Sequence, residues 1–354
     1  MANPLQGLYD ELIGGALNIL RLAASQRKRT FARLAKLEKE LIGKLAEADL
    51  SRYDKRVVNV VLKNANVSIA QAYADMPGLF DIVGLAKFAA EHTVSAFEIT
   101  LGLEAIKLPK QAYFNALKDD AIVMGHPTKE WWKTQDADTQ FKFAGQVRQG
   151  LIAAETNQQI IARIVGKSGQ PGIMDAVRRN AATLVQTSVQ SVASDARRKT
   201  FNANPETVKG IEQISTLDSH TSLTCVAYSH AKWNLDYEPI APNELPYLTG
   251  VPRHMSCRSV EVPILKSFAD LGIDIDEPKF GTTRASEDGQ IDVDTTFDGF
   301  LKRKSKEYVD EMLGVGRADL WRAGKITLRD LVNGEGREQT LAELQELVAG
   351  RQSS

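Results

Sequence analysis

Between Ile214 and Pro263 the chain reads ISTLDSHTSLTC, then an aromatic loop, then PRHMSCRSVEVPI. Strand-like runs bracket this stretch, Gly210 to Ser215 on one side and the alternation of Val260, Val262 and Ile264 on the other. The span from Trp233 to Gly250 carries Pro239, Pro242 and Pro246. Their fixed φ and missing N–H make it an irregular loop, held by Trp233, Tyr237 and Tyr247. Cys225 and Cys257 are the chain's two cysteines, and both lie inside the stretch. Two short strands, a braced loop, a cysteine at one end and His254-x-x-Cys257 at the other describe a compact knuckle.

Everything upstream has helical spacing. Leu5, Leu8 and Leu12, then Leu34, Leu37, Leu41 and Leu45, predict one long helix or two joined ones over residues 5–46, with Gly14 and Gly15 as a place for a bend. A second helix over 52–75 turns Val58, Val61, Leu62, Ala65, Ile69 and Tyr73 inward and ends at Pro77-Gly78. An apolar third helix covers 79–106, in which His92 reads as a packed or surface histidine, and a shorter one surrounds Tyr113 to Leu117. The segment MGHPTKEWWKTQDADTQ reads as a loop, with Trp131-Trp132 as an aromatic lid on the helical core. Gly150 closes one helix, and Thr156 or Asn157 caps the next, whose inner side carries Ile160, Ile161 and Ile164. GKSGQPG, residues 166–172, reads as a hinge. The following helix, Ile173 to Thr200, places Val177, Ala181, Leu184, Val185, Val189 and Val192 inward and Arg178, Arg179, Arg197, Arg198 and Lys199 outward. After an acidic irregular arm, helices return at Phe297 to Leu313, Arg317 to Trp321 and around Leu341 to Leu347. The expected class is mainly α with a small α+β domain: a helical N-terminal region, a two- to three-stranded knuckle and a short helical tail. The expected division is 1–135, 136–275 with the hinge at 166–172, and 276–354.

The charge balance narrows the function. With 44 Lys and Arg against 45 Asp and Glu, a strongly basic nucleic-acid coat is excluded and only local patches remain. One such patch is Arg27, Lys28, Arg29, Arg33, Lys36 and Lys39, readable as a contact for phosphate or an acidic partner, or as a solvated helix face. Two cysteines are too few for a disulfide framework and suggest a reducing compartment. MANPLQGLYDELIG has no signal-peptide pattern, and no apolar run is long enough to predict a membrane span. P-loop, dinucleotide-fingerprint and HExxH motifs are absent from the sequence.

The knuckle's own residues allow three chemistries. Structural zinc takes four ligands, commonly with a C-x2-C pair. Here Ser222 stands three before Cys225, so His254 and Cys257 would need His220, His230 or an aspartate to complete a set. The expectation is therefore no metal and no cofactor, with two buried thiols packing the knuckle. Asp218, His254 and Cys257 can be written as orienter, base and nucleophile, but no nucleophile elbow or oxyanion hole accompanies them, so no catalytic residue is expected. A hydrolase or toxin-like enzyme at those three residues, and a zinc-stabilised nucleic-acid-binding module, are the alternatives to a structural role.

Thr216 to Cys225, followed by Pro252-Arg253-His254 and Ser256-Cys257-Arg258-Ser259, resembles the phage Mu gpF / SPP1 gp7 family of minor head, or head morphogenesis, proteins. That family's pattern is Leu-Asp, a threonine, a Cys-x-x-Cys pair, a variable loop and a closing Pro-x-His-x-x-Cys-Arg. Leu217, Asp218, Thr221, Cys225, His254, Cys257 and Arg258 match it, and Ser222 departs from it. The likeness covers roughly residues 140–270, and the GKITLRDLV and REQTLAEL segments resembles the family's C-terminal pattern too. Residues 1–135 match only in being helical. The resemblance implies a minor capsid protein of a tailed bacteriophage, a structural and non-enzymatic component of head morphogenesis and viral capsid assembly. Its implied partners are the portal protein or the major capsid protein, and its implied place is the capsid interior or portal vertex of the virion, with the host cytoplasm during assembly. Multiple copies per virion are expected, with non-specific contact to packaged DNA through Arg27, Arg29 and Arg33.

Overall fold

Most of the apolar spacing becomes helix in the computed structural model, which describes residues 4–48, 55–102, 106–118, 121–267, 270, 283–286, 289–292 and 295–352. Its helical half consists of α1 (Pro4–Glu47), α2 (Lys55–Ala74), α3 (Ile82–Leu101), α4 (Gln111–Ala116), α5 (Thr128–Ile152), α6 (Asn157–Val165) and α7 (Ile173–Asn202). Two small antiparallel hairpins interrupt them, β1 (Ile122–Val123) with β2 (His126–Pro127), and β3 (Gly166–Lys167) with β4 (Gln170–Pro171). The knuckle supplies β5 (Val208–Ile214), α8 (Leu223–Ala227), β6 (Lys232–Asn234) and β7 (Val260–Leu265). A hairpin of β8 (Thr283–Ser286) and β9 (Gly289–Asp292) follows, then α9 (Phe297–Leu301), α10 (Lys306–Leu313), α11 (Val315–Arg322) and α12 (Leu341–Gln352). The chain is thus mainly helical with small antiparallel sheets. Among the described residues no helix is long and apolar enough to cross a membrane.

Two compact units divide these elements, and neither is continuous in sequence. One gathers Ile19–Leu85 with Asn115–Val192, the other Met1–Asn18, Ala86–Phe114 and Ala193–Ser354. The sequential division at 135 and 275 therefore differs from the interleaved one in the structure.

The first unit is a helical core. Leu34, Leu37, Leu41 and Leu45 of α1 pack with Val58, Leu62 and Ile69 of α2 and with Phe143, Val147, Ile160 and Ile164 of α5 and α6. All six residues expected on the inner face of α2 are buried there. The capping box expected at Thr156 is present, with Gln159 returning the bond. Two expectations are corrected. The segment read as a loop with an aromatic anchor is a two-strand turn followed at once by α5, and Trp132 sits in the core about 6 Å from Tyr73 and Phe80. Its helical stripe was hidden because the buried positions include Thr139, whose hydroxyl meets the Tyr73 hydroxyl at 2.8 Å. The 166–172 run is a tight hairpin, with Gly166 opposite Pro171 and Lys167 opposite Gln170, and it joins two helices within this one unit.

The second unit contains the knuckle. Its sheet has the order β6-β5-β7, both pairings antiparallel, with Ile211 between Trp233 and Pro263. Phe201, Tyr228, Trp233 and Tyr247 share a core with Phe297, Phe300, Leu313, Trp321, Leu331 and Val348. The C-terminal helices therefore complete the knuckle rather than forming a region of their own. The single helix expected from Phe297 to Leu313 is two, because Ser305 caps α10 by accepting from the Tyr308 N–H. Leu8 and Leu12 of α1 and Phe97 of α3 belong to the same core. α1 runs through Gly15 as one uninterrupted helix. That glycine lets His92 approach, since a Cβ there would lie 2.5 Å from the imidazole. Most of the acidic run at 268–282 lies outside the described residues.

Candidate functional site

Two short turns deliver the knuckle's thiols and imidazole. In the first, the Ser222 hydroxyl accepts the Cys225 N–H at 3.2 Å and starts α8, which sets Cys225 in the opening helical turn. In the second, the Cys257 N–H donates to the His254 carbonyl at 3.2 Å, with Ser256 in the left-handed region at φ 60°. That turn puts His254 and Cys257 on one side. The β5–β7 pairing then brings the two turns together across the loop.

The result is a convergent cluster. Cys225 Sγ lies 3.3 Å from His254 Nε2 and 3.7 Å from Cys257 Sγ, and the three ligand atoms all fall within 4.8 Å of one another. Both cysteines are reduced and buried, Cys225 at 2% exposure and Cys257 at 0%. His254 Nδ1 meets the Met255 carbonyl at 2.8 Å, so it carries the proton and Nε2 faces the sulfurs with its lone pair. The hydrogen bond from Cys225, aided by His254, holds the Cys257 thiol well below the ordinary thiol range despite burial. The same pairing, with desolvation, pushes Cys225 up. The hydrogen bond with Cys257 raises His254.

Asp218 is elsewhere engaged. Arg258 donates to both its carboxylate oxygens, at 2.6 and 2.7 Å, and Asp218 Oδ1 also accepts the His220 N–H and the Thr221 hydroxyl. Asp218 thus caps the turn that follows it, whereas the place of a carboxylate orienter for His254 is taken by the Met255 carbonyl. Of the other histidines weighed as ligands, His220 is exposed, and His230 meets Glu212 at 2.8 Å.

A second polar centre went unforeseen. Glu261, on β7, is 1% exposed; it accepts from the Tyr247 hydroxyl, the Val251 N–H and Arg198 Nη1, at 2.8 to 3.0 Å. Arg198 also donates to the Val251 carbonyl at 2.9 Å. Although burial opposes its charge, Glu261 holds the Arg198 guanidinium above its ordinary value. Its neighbour Arg197 is buried as well, and desolvation pulls it down to about 10. The outward basic face expected at these two arginines is reversed: Arg197 is buried, and Arg198 turns to Glu261, 63 residues downstream. Alternation in SVEVPI gave no sign of an inward glutamate. Gly250 beside it is required at φ 67°, and any Cβ there would collide with the Tyr247 hydroxyl.

The basic patch on α1 is only partly a free-standing surface. Arg33 donates to Asp75 at 2.5 Å and toward the Gln71 carbonyl at the end of α2, while Arg27, Lys28 and Arg29 are exposed. Comparison with known proteins finds no family model, curated protein or solved structure that matches this chain.

Proposed function

We propose that the chain is a minor head protein of a tailed bacteriophage, acting as a structural part of procapsid assembly at the portal or the inner shell. The reading rests on the resemblance of Leu217, Asp218, Thr221, Cys225, His254, Cys257 and Arg258 to that family's signature. One structural observation supports it: the signature residues are consumed in bonds to one another. Asp218 is forked by Arg258, Cys225 and Cys257 are buried against His254, and the His254 ring is fixed by a backbone carbonyl. Residues spent in this way brace a scaffold. The exposed Arg27, Lys28 and Arg29 are suited to an acidic portal surface or to packaged DNA.

The test is to purify heads assembled with and without the chain and examine them by mass spectrometry and electron cryo-microscopy. The expected result is co-purification at a copy number well below that of the major capsid protein, with density at the portal vertex or inner face. Heads that never retain the chain overturn the reading. For the DNA contact, a mobility shift that weakens steeply with salt and is lost in an Arg27→Ala/Arg29→Ala double variant is expected; a salt-insensitive pull-down by portal with no DNA shift removes it.

A further inference from the structure

We propose that Cys225, His254 and Cys257 bind a zinc ion, with the fourth corner beside Ser222. This goes beyond the head-protein reading and does not depend on it. It also reverses the expectation of an empty pair of packing thiols.

Geometry carries the argument. In a tetrahedral centre with Zn–S of about 2.3 Å and Zn–N of about 2.0 Å, two thiolate sulfurs sit ~3.8 Å apart and a sulfur and an imidazole nitrogen ~3.5 Å apart. The corresponding separations here are 3.7 Å for Cys225 to Cys257 and 3.3 Å for Cys225 to His254. Two of the three edges thus match a tetrahedral face, and the third atom pair also lies within 4.8 Å. A thiol pair packing as small apolar groups needs no such convergence with a ring nitrogen.

The histidine's own bond is an independent sign. A zinc-bound histidine donates its other ring N–H to a carbonyl or carboxylate, which fixes the tautomer and turns the lone pair to the metal. His254 has that arrangement, with Nδ1 on the Met255 carbonyl and Nε2 toward the sulfurs. The surroundings point the same way. Among the described residues, Val251 alone joins the two cysteines in this small apolar cluster, so packing supplies little to join the turns. A divalent cation held by all three residues would staple both turns at once.

Ser222 explains why the fourth ligand is not a thiolate. It stands three residues before Cys225, and its hydroxyl caps α8 by accepting the Cys225 N–H at 3.2 Å, which keeps that oxygen beside the cluster. The fourth position is therefore hydroxyl-lined, suited to Ser222 itself or to a water that it holds.

The experiment uses the full chain, purified under reducing conditions from zinc-supplemented culture, with free thiols counted. One zinc per chain by elemental analysis is expected. Replacing zinc by Co2+ is expected to give thiolate-to-cobalt charge-transfer and tetrahedral d–d bands, which added Zn2+ abolishes. Cys257→Ser and His254→Ala should lose the metal, and Ser222→Cys, which supplies a third thiolate, should bind zinc at least tenfold tighter. Wild-type chain with both thiols reduced that retains no zinc and gives no cobalt bands overturns the proposal. So does ready formation of a Cys225–Cys257 disulfide together with indifference to both metals. The wild-type measurement stands even where a variant fails to fold, and it is independent of whether the chain is found in heads.

Discussion

Leu41 and Glu261 are both almost fully buried, at 0% and 1% exposure, yet they stand for two ways of holding a fold together. Leu41 lies among aliphatic and aromatic side chains of α1, α2, α5 and α6, where attraction is non-directional and grows with the area removed from water. Glu261 lies among a guanidinium, a phenol and a backbone amide, each within 3.0 Å and each aimed. Around it the knuckle repeats the theme. Arg253 donates to Gln213 at 2.5 Å while its guanidinium rests 3.7 Å from the Tyr228 ring centre, and Ser215 links the Cys225 carbonyl to Ser259. The helical core is specified by volume, the knuckle by direction. Changes that shrink volume should therefore be graded in the first, and changes that remove one member of a bonded set should be abrupt in the second.

Glu261→Ala is the most severe way to strain that contrast. It removes the buried counter-charge of Arg198, leaving only Asp195 at 3.5 Å and the Val251 carbonyl, and should cost about 3–5 kcal/mol. Hydrogen exchange read by mass spectrometry should show the loss at β5 and β7, with α2 and α5 unchanged; uniform loosening of both units would dissolve the distinction. Leu41→Ala comes next, with a cost of about 2–4 kcal/mol from lost transfer and a residual cavity. The same measurement should place its effect in α2, α5 and α6. The smallest and sharpest test is Trp132→Phe. The Trp132 indole N–H is buried without a hydrogen-bond partner among the described residues, so its removal should change stability by less than about 1.5 kcal/mol in urea unfolding. A larger loss would measure the cavity left by the smaller ring and would show how steeply the helical core responds to lost volume.

Legibility in the sequence followed the same line. The inward face of α2, the cap at Thr156 and the strand–loop–strand order of the knuckle were readable, because spacing and capping are local properties. The start of α5 was missed where Pro127 and an acidic run masked a stripe that includes Thr139. Arg197, Arg198 and Glu261 were misplaced because a buried charge is explained only by a partner, and no local pattern announces one 63 residues away. At the candidate site every residue was visible, but their convergence was not. Cys225 is 29 residues from His254 and 32 from Cys257, and only the pairing of β5 with β7 closes that distance.

The interleaving of the two units also sets an order in time. Every residue of the helical unit has been synthesised once Val192 is added, whereas the knuckle core needs Leu8 and Leu12 from the beginning and Leu344 and Val348 from near the end. During synthesis the helical unit can close early, while Leu8, Leu12 and Phe97 are left apolar and only partly covered until the segments that follow Ala193 have been made. A chain caught at Val192 would carry one finished unit beside the exposed first pieces of the other, a state open to aggregation.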